Sequence, residues 1–142
     1  MSELQNLSIG GERIATLAEV CVFAREHGMR LNIELKGPGM GAEVAHLVHQ
    51  EHVADLILIS SFWPEALREM ADVAPELPRA YLMGTQTLRP DIRLRESWPF
   101  LDLKSIKASA WHPAYQIPLL DTVLPLVRRA GYHVNVWTVN DP

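Results

Sequence analysis

Glu34 and Lys36, two residues apart in the run Leu31-Asn32-Ile33-Glu34-Leu35-Lys36, are the side chains best suited to chemistry. A strand alternates its side chains, so Leu31, Ile33 and Leu35 can pack under a helix while Asn32, Glu34 and Lys36 share the opposite face. A carboxylate beside an ammonium at the mouth of a sheet suits an oxyanion substrate. Glu34 offers oxygen to a hard cation, and Lys36 a point charge to phosphate. An interior salt bridge, or an edge strand whose polar face meets water, accounts for the same spacing, so the pair alone leaves these readings open.

Other candidates lie where further strands should end: Ser60, Ser61 and Phe62, then Trp137, Thr138 and Asn140. The two serines lack the flanking glycines of a nucleophile elbow, which argues against a serine hydrolase. Trp137 suits either barrel packing or the apolar wall of a pocket. Gly37-Pro38-Gly39-Met40-Gly41-Ala42 fits G-x-G-x-x-A between a strand and a helix, the setting of a dinucleotide fingerprint. The next strand ends Ile59-Ser60-Ser61 instead of in an acid, which favours a plain turn. His46, His49 and His52 sweep round a helix, so only neighbouring pairs could chelate, and solvated histidines are the expectation. His27 is expected to meet a helix C-terminus. His112, before Pro113, is either a site residue or a loop histidine.

The elements that must position these groups alternate along the chain. Thr16-Leu17-Ala18-Glu19 is a capping-box pattern opening a helix that Gly28 ends, and Cys21, the one cysteine, falls on its apolar stripe. A strand over 31–36, a helix over 42–52, a buried strand at 56–59, a helix from Pro64 and a strand over 79–83 follow. Residues 84–103 read as a loop or irregular insertion. A strand is expected at 104–108, a helix from Leu119 to Gly131 with Pro125 either bending it or lying near a start, and a last strand over 133–139. Helix and strand repeated about five times indicate a parallel α/β architecture, either an open doubly wound sheet or a (β/α)8 barrel. Sites in both folds lie at the carboxyl ends of the strands.

The 142 residues are enough for one domain, 48% hydrophobic and 21% charged with a formal net charge of −4. That balance carries no basic footprint for nucleic acid. No span is long and apolar enough for a bilayer, and the first twenty residues contain no leader pattern, so no membrane partner and a cytoplasmic setting are expected. One cysteine excludes an internal disulfide and a cysteine-based zinc cluster.

Five segments, Glu12-Arg13-Ile14-Ala15-Thr16-Leu17-Ala18-Glu19-Val20, Asn32-Ile33-Glu34-Leu35-Lys36, Ile59-Ser60-Ser61-Phe62, Ala74-Pro75-Glu76-Leu77-Pro78-Arg79 and Val134-Asn135-Val136-Trp137-Thr138-Val139-Asn140, occur in an order that resembles the glycerophosphodiester phosphodiesterase family. Ala15 stands where a proline is usual. The resemblance implies a (β/α)8 TIM barrel that hydrolyses glycerophosphodiesters to glycerol 3-phosphate and an alcohol with a divalent cation, Mg²⁺ or Ca²⁺. It implies Glu34 as a metal ligand, Lys36 as the catalytic contact to the substrate phosphate, and Phe62 and Trp137 as the glycerol side of the pocket.

The family's His-Arg-Gly, Glu-x-Asp and His-Asp motifs do not occur in this sequence. A complete barrel needs about 250 residues. Residues 1–142 are therefore expected to be a partial domain, a barrel fragment of about five consecutive parallel strands that breaks off at Asn140-Asp141-Pro142. Such a fragment is expected to be inactive alone and to self-associate through exposed sheet edges. The alternative is a non-catalytic truncated barrel serving as a binding or scaffold protein; a dinucleotide-binding domain is a third.

Overall fold

Thr16 starts the first helix as its spacing with Glu19 requires. In the computed structural model, which describes residues 8–9, 11–84 and 90–140, the Thr16 hydroxyl accepts from the Glu19 amide at 3.3 Å, and Glu19 Oε2 accepts from the Thr16 amide at 2.8 Å. Arg13 adds a side-chain hydrogen bond to the same carboxylate, and together these hold the Glu19 carboxyl down at about 2. The short strands β1 (Ser8–Ile9) and β2 (Glu12–Arg13) pair antiparallel before helix α1 (Leu17–His27), which closes at Gly28 with φ +63°.

Strands and helices then alternate: β3 (Leu31–Glu34), α2 (Gly41–Gln50), β4 (Ile57–Ser61), α3 (Pro64–Val73), β5 (Arg79–Met83), α4 (Pro90–Ser97), α5 (Phe100–Ser105), β6 (Ala110–Pro113), α6 (Leu120–Arg129) and β7 (His133–Val134). Strands β3 to β7 form one parallel sheet in chain order. A doubly wound sheet reverses strand order at a switch point and carries helices on both faces. This sheet has no reversal, and its hydrophobic core joins helix residues such as Val48, Leu67, Met70, Leu103 and Val127 to one strand face only, Ile57, Ile59, Tyr81, Met83 and Trp111. The arrangement is an arc of a (β/α)8 barrel.

Three sequence expectations change. Residues 84–103 were expected to be irregular, yet 90–97 and 100–103 are helical; residues 85–89 lie outside the described residues, as do 141–142. The strand expected at 104–108 lies at Ala110–Pro113, because Lys104 and Ser105 end α5. The last strand is two residues instead of seven, with one further bridge between Ala114 and Trp137. Pro125 sits inside α6, which nevertheless runs to Arg129.

At the amino ends of the strands the fold is pinned by Arg79, 5% exposed. Its guanidinium donates to the carbonyls of Leu77 at 2.6 Å, Lys107 at 3.1 Å, and Ala74, Pro75 and Ile106 at 3.3 Å each. The loop entering β5 and the loop entering β6 thus share one cation, and burial lowers the pKa of that cation. Arg79→Met should cost about 3 kcal/mol in chemical denaturation, since several buried carbonyls lose charged donors together. Arg79→Lys should recover little, because an ammonium has no planar fork to span both loops.

On the face away from the helices His112 is 7% exposed, and burial pushes its imidazole below the usual 6.5. The unfolded chain then binds a proton that the folded chain refuses, so stability falls as pH drops below about 6.5 and the loss levels off below the folded value. Denaturation midpoints across this window should show that acid-side slope in the parent, and a smaller one in His112→Gln.

Candidate functional site

The strand face opposite the helices carries the polar groups. The register pairs Glu34 with Ser60, Ser60 with Ala80, Ala80 with Ala110 and Ala110 with His133; one row nearer the carboxyl ends, Leu82 pairs with His112. Between Ser60 and His133 in the first row the side chains are small, Ala80 and Ala110.

Lys36 follows the last residue of β3 by two positions and donates to Glu34 Oε1 at 2.7 Å. The Glu34 side chain is largely covered while Lys36 reaches into solvent, 76% exposed. Glu34 is the only carboxylate on the five strands, and among the described residues no group of three or more His, Cys, Asp or Glu side chains is placed to hold a metal ion. One carboxylate is a partial donor set for a divalent cation, which takes about six oxygen ligands, and Glu34 could supply one of them. Beside Glu34 in register, the Ser60 hydroxyl is fully buried without a hydrogen-bond partner.

Phe62 and Trp137 meet across the mouth, edge to face, with ring centroids 5.6 Å apart at 88°. The Trp137 indole N–H donates to the His112 carbonyl at 2.8 Å, which leaves its ring an apolar surface. The Asn135 amide nitrogen lies 2.8 Å from His112 Nε2. Neither Asn135 nor the buried setting of His112 stood out in the sequence. The signal was parity: once β6 is placed at Ala110–Pro113, His112 falls on the same face as Glu34. Beside Phe62 a cavity of about 230 Å³ extends between Tyr81, Leu82 and the α4 residues Ile92, Arg95 and Glu96. Burial is the main cause that pushes the Tyr81 hydroxyl there up to about 12.

The remaining candidates belong to structure. In the Gly37-to-Ala42 turn, the amides of Gly39 and Gly41 donate to Glu69 Oε2 and Oε1 at 2.7 and 2.9 Å. A carboxylate from α3 thus takes the donors that a dinucleotide phosphate would need. Ser61 bonds the Leu35 carbonyl at 2.7 Å and the Trp63 amide at 3.0 Å. Of the histidines, His49 pairs with Glu76 at 2.7 Å, His46 and His52 are exposed, and His27 contacts the Phe23 carbonyl at 2.8 Å near the end of α1. Cys21 is buried in the core. No described helix is long and apolar enough to cross a membrane.

Known proteins resemble this chain in sequence and fold. The chain is 29% identical over 136 residues to the uncharacterized protein YqiK of Bacillus subtilis, covering 92% of this chain and 52% of that one. It is 26% identical over 136 residues to a glycerophosphodiester phosphodiesterase of Caldanaerobacter subterraneus, covering 92% of this chain and 51% of the relative. The structure of a phosphodiesterase from Oleispira antarctica, in complex with the product sn-glycerol-3-phosphate, superposes with a TM-score of 0.73 at 28% identity, covering 99% of this chain and 58% of that one. The chain thus spans about half the length of the relatives it matches. The model of the glycerophosphoryl diester phosphodiesterase family matches residues 2–142, and the chain belongs to that family.

Proposed function

We propose that residues 1–142 form part of a metal-dependent glycerophosphodiester phosphodiesterase domain, contributing its phosphate-side lysine, one cation carboxylate and the aromatic wall beside glycerol. The observation that carries this reading is that the Glu34–Lys36 pair, 2.7 Å apart, and the Phe62–Trp137 pair, 5.6 Å apart, both lie where strands of the parallel sheet end, at β3, β4 and β7. Family membership supports the reaction class, and the product bound by the Oleispira relative supports the substrate class.

In this reading Lys36, exposed on a flexible stem, exchanges its contact with Glu34 for a phosphoryl oxygen and compensates the charge developing there. Phe62 and Trp137 exclude water from the carbon skeleton of the glycerol half. Glu34 is the carboxylate this chain contributes to the family's cation, and further ligands come from outside the described residues. The products are glycerol 3-phosphate and an alcohol. The chain on its own is inactive, because the His-Arg-Gly and Glu-x-Asp motifs are not in its sequence. The strands β3 and β7, each paired on one side, are the edges through which it meets further strands or a second copy. The incomplete cation set also suits a non-catalytic binding protein on the same arc; turnover in an extended chain decides between the two.

The chain alone should hydrolyse glycerophosphocholine no faster than buffer, since lost acid/base groups cost about 10²- to 10⁴-fold each. Metal-dependent turnover that Glu34→Gln abolishes would overturn this expectation. In an extended chain carrying the remaining barrel strands of a relative, Glu34→Gln should weaken Mg²⁺ or Ca²⁺ binding in calorimetric titration. Lys36→Met should leave cation affinity intact and lower kcat by about 10²-fold. If Glu34→Gln binds the cation as tightly as its parent, Glu34 is not a ligand.

A further inference from the structure

Two imidazoles share the site face and are not used by the proposed reaction: His133, which is exposed, and His112, which is buried. The surroundings of His112 are unlike those of a proton-transfer histidine. No carboxylate acts on the imidazole; the cause that shifts it is burial alone, and its side-chain partner is the neutral amide of Asn135 at 2.8 Å. With the amide N–H donating to Nε2, the ring proton resides on Nδ1. The strand register puts the ring on the site face, and Nδ1, which takes no part in the contact with Asn135, is not sealed off from solvent.

The carbonyl of the same residue takes the indole N–H of Trp137. The wall formed by Trp137 and Phe62 is thereby fixed against the strand that carries the imidazole, and that wall offers no donor from Trp137. An apolar wall with one uncharged N–H beside it is built for a C–H surface bearing hydroxyls rather than for an anion. An anion gains more from a cation such as Lys36.

We propose that His112, held as the Nδ1–H tautomer by Asn135, donates to a hydroxyl of the polyol half of the phosphodiester and so determines specificity for that half. The inference rests on the reading of Phe62 and Trp137 as the polyol side. It adds a polar reader to what is otherwise an apolar wall, and the ligand class is a small vicinal diol. Asn135 is a positioning residue, acting on the ligand only through the ring.

The test uses the chain as it is, with sn-glycerol 3-phosphate and inorganic phosphate as probes. Long-range ¹H–¹⁵N spectra of the parent should show His112 as the Nδ1–H tautomer, and sn-glycerol 3-phosphate, not inorganic phosphate, should shift its nitrogens. The parent should prefer sn-glycerol 3-phosphate by about 10-fold, the worth of one good hydrogen bond. His112→Phe should bring that ratio near one with phosphate affinity unchanged, and His112→Asn, which retains an N–H donor, should recover part of it. Lys36→Met should weaken both probes alike. If the ratio survives His112→Phe while Lys36→Met weakens both, this inference falls and the proposed phosphate contact stands. A collapsed ratio in His112→Phe with Lys36→Met harmless leaves the inference standing against the proposed phosphate contact. An Nε2–H tautomer, or a parent that binds neither probe, overturns the inference without recourse to any variant.

Discussion

Everything at the mouth of this sheet depends on side chains alternating across five parallel strands held in one register. The helices claim one face, and the apolar residues of that parity, from Ile57 and Ile59 to Trp111, merge with them into a single core. Whatever has the other parity is committed to the far side: Glu34, Ser60, Ala80, Leu82, Ala110 and His112. A slip of one residue in β3 would send Ile33 or Leu35 to the site and bury Glu34 beneath a helix. Hydrogen-bonded register thus constrains the proposed site as well as the core.

The two ends of the sheet divide the labour. The amino ends are held by fixed, internally satisfied contacts: one guanidinium across the loops entering β5 and β6, and the Ser109 hydroxyl on the amide of Arg79 at 3.1 Å. The carboxyl ends carry an exposed lysine, an orphan serine hydroxyl and an edge-to-face ring pair. Polar groups left in need of partners are costly to bury. They gather at the end where barrel enzymes place their chemistry.

Much of this was legible in the sequence where a local rule had a local cause. The Thr16–Glu19 box, the Gly28 stop and Pro64 at the first turn of α3 each rest on neighbours in the chain and lie where their pattern put them, while the alternation read over 31–36 starts at Leu31 as expected and its strand ends at Glu34. Residues 84–103 failed because α4 and α5 are short and rich in charge, with ordering contacts such as Arg95 to Asp102 at 2.8 Å that no periodicity announces. That failure displaced β6 in the reading and hid which face His112 occupies. The last strand was read too long because alternation in 133–139 says nothing of how few residues would find a ladder partner. Phe62 and Trp137 came from family resemblance; their contact across 75 residues of chain is a tertiary fact that spacing does not contain.

Glu69 joins two helices through the turn between β3 and α2. A Cβ on Gly41 would lie 2.9 Å from its carboxylate carbon, so it is the acid, and not the backbone conformation, that favours a glycine there. The acid in turn has two amides to satisfy only because that turn presents them. Neither residue is individually informative, and the unit of inheritance is the pair. Drift at position 69 releases the constraint at 41, and a side chain at 41 evicts the acid from its seat. Lineages are therefore expected to exchange both positions together, leaving a correlated trace between two segments 28 residues apart.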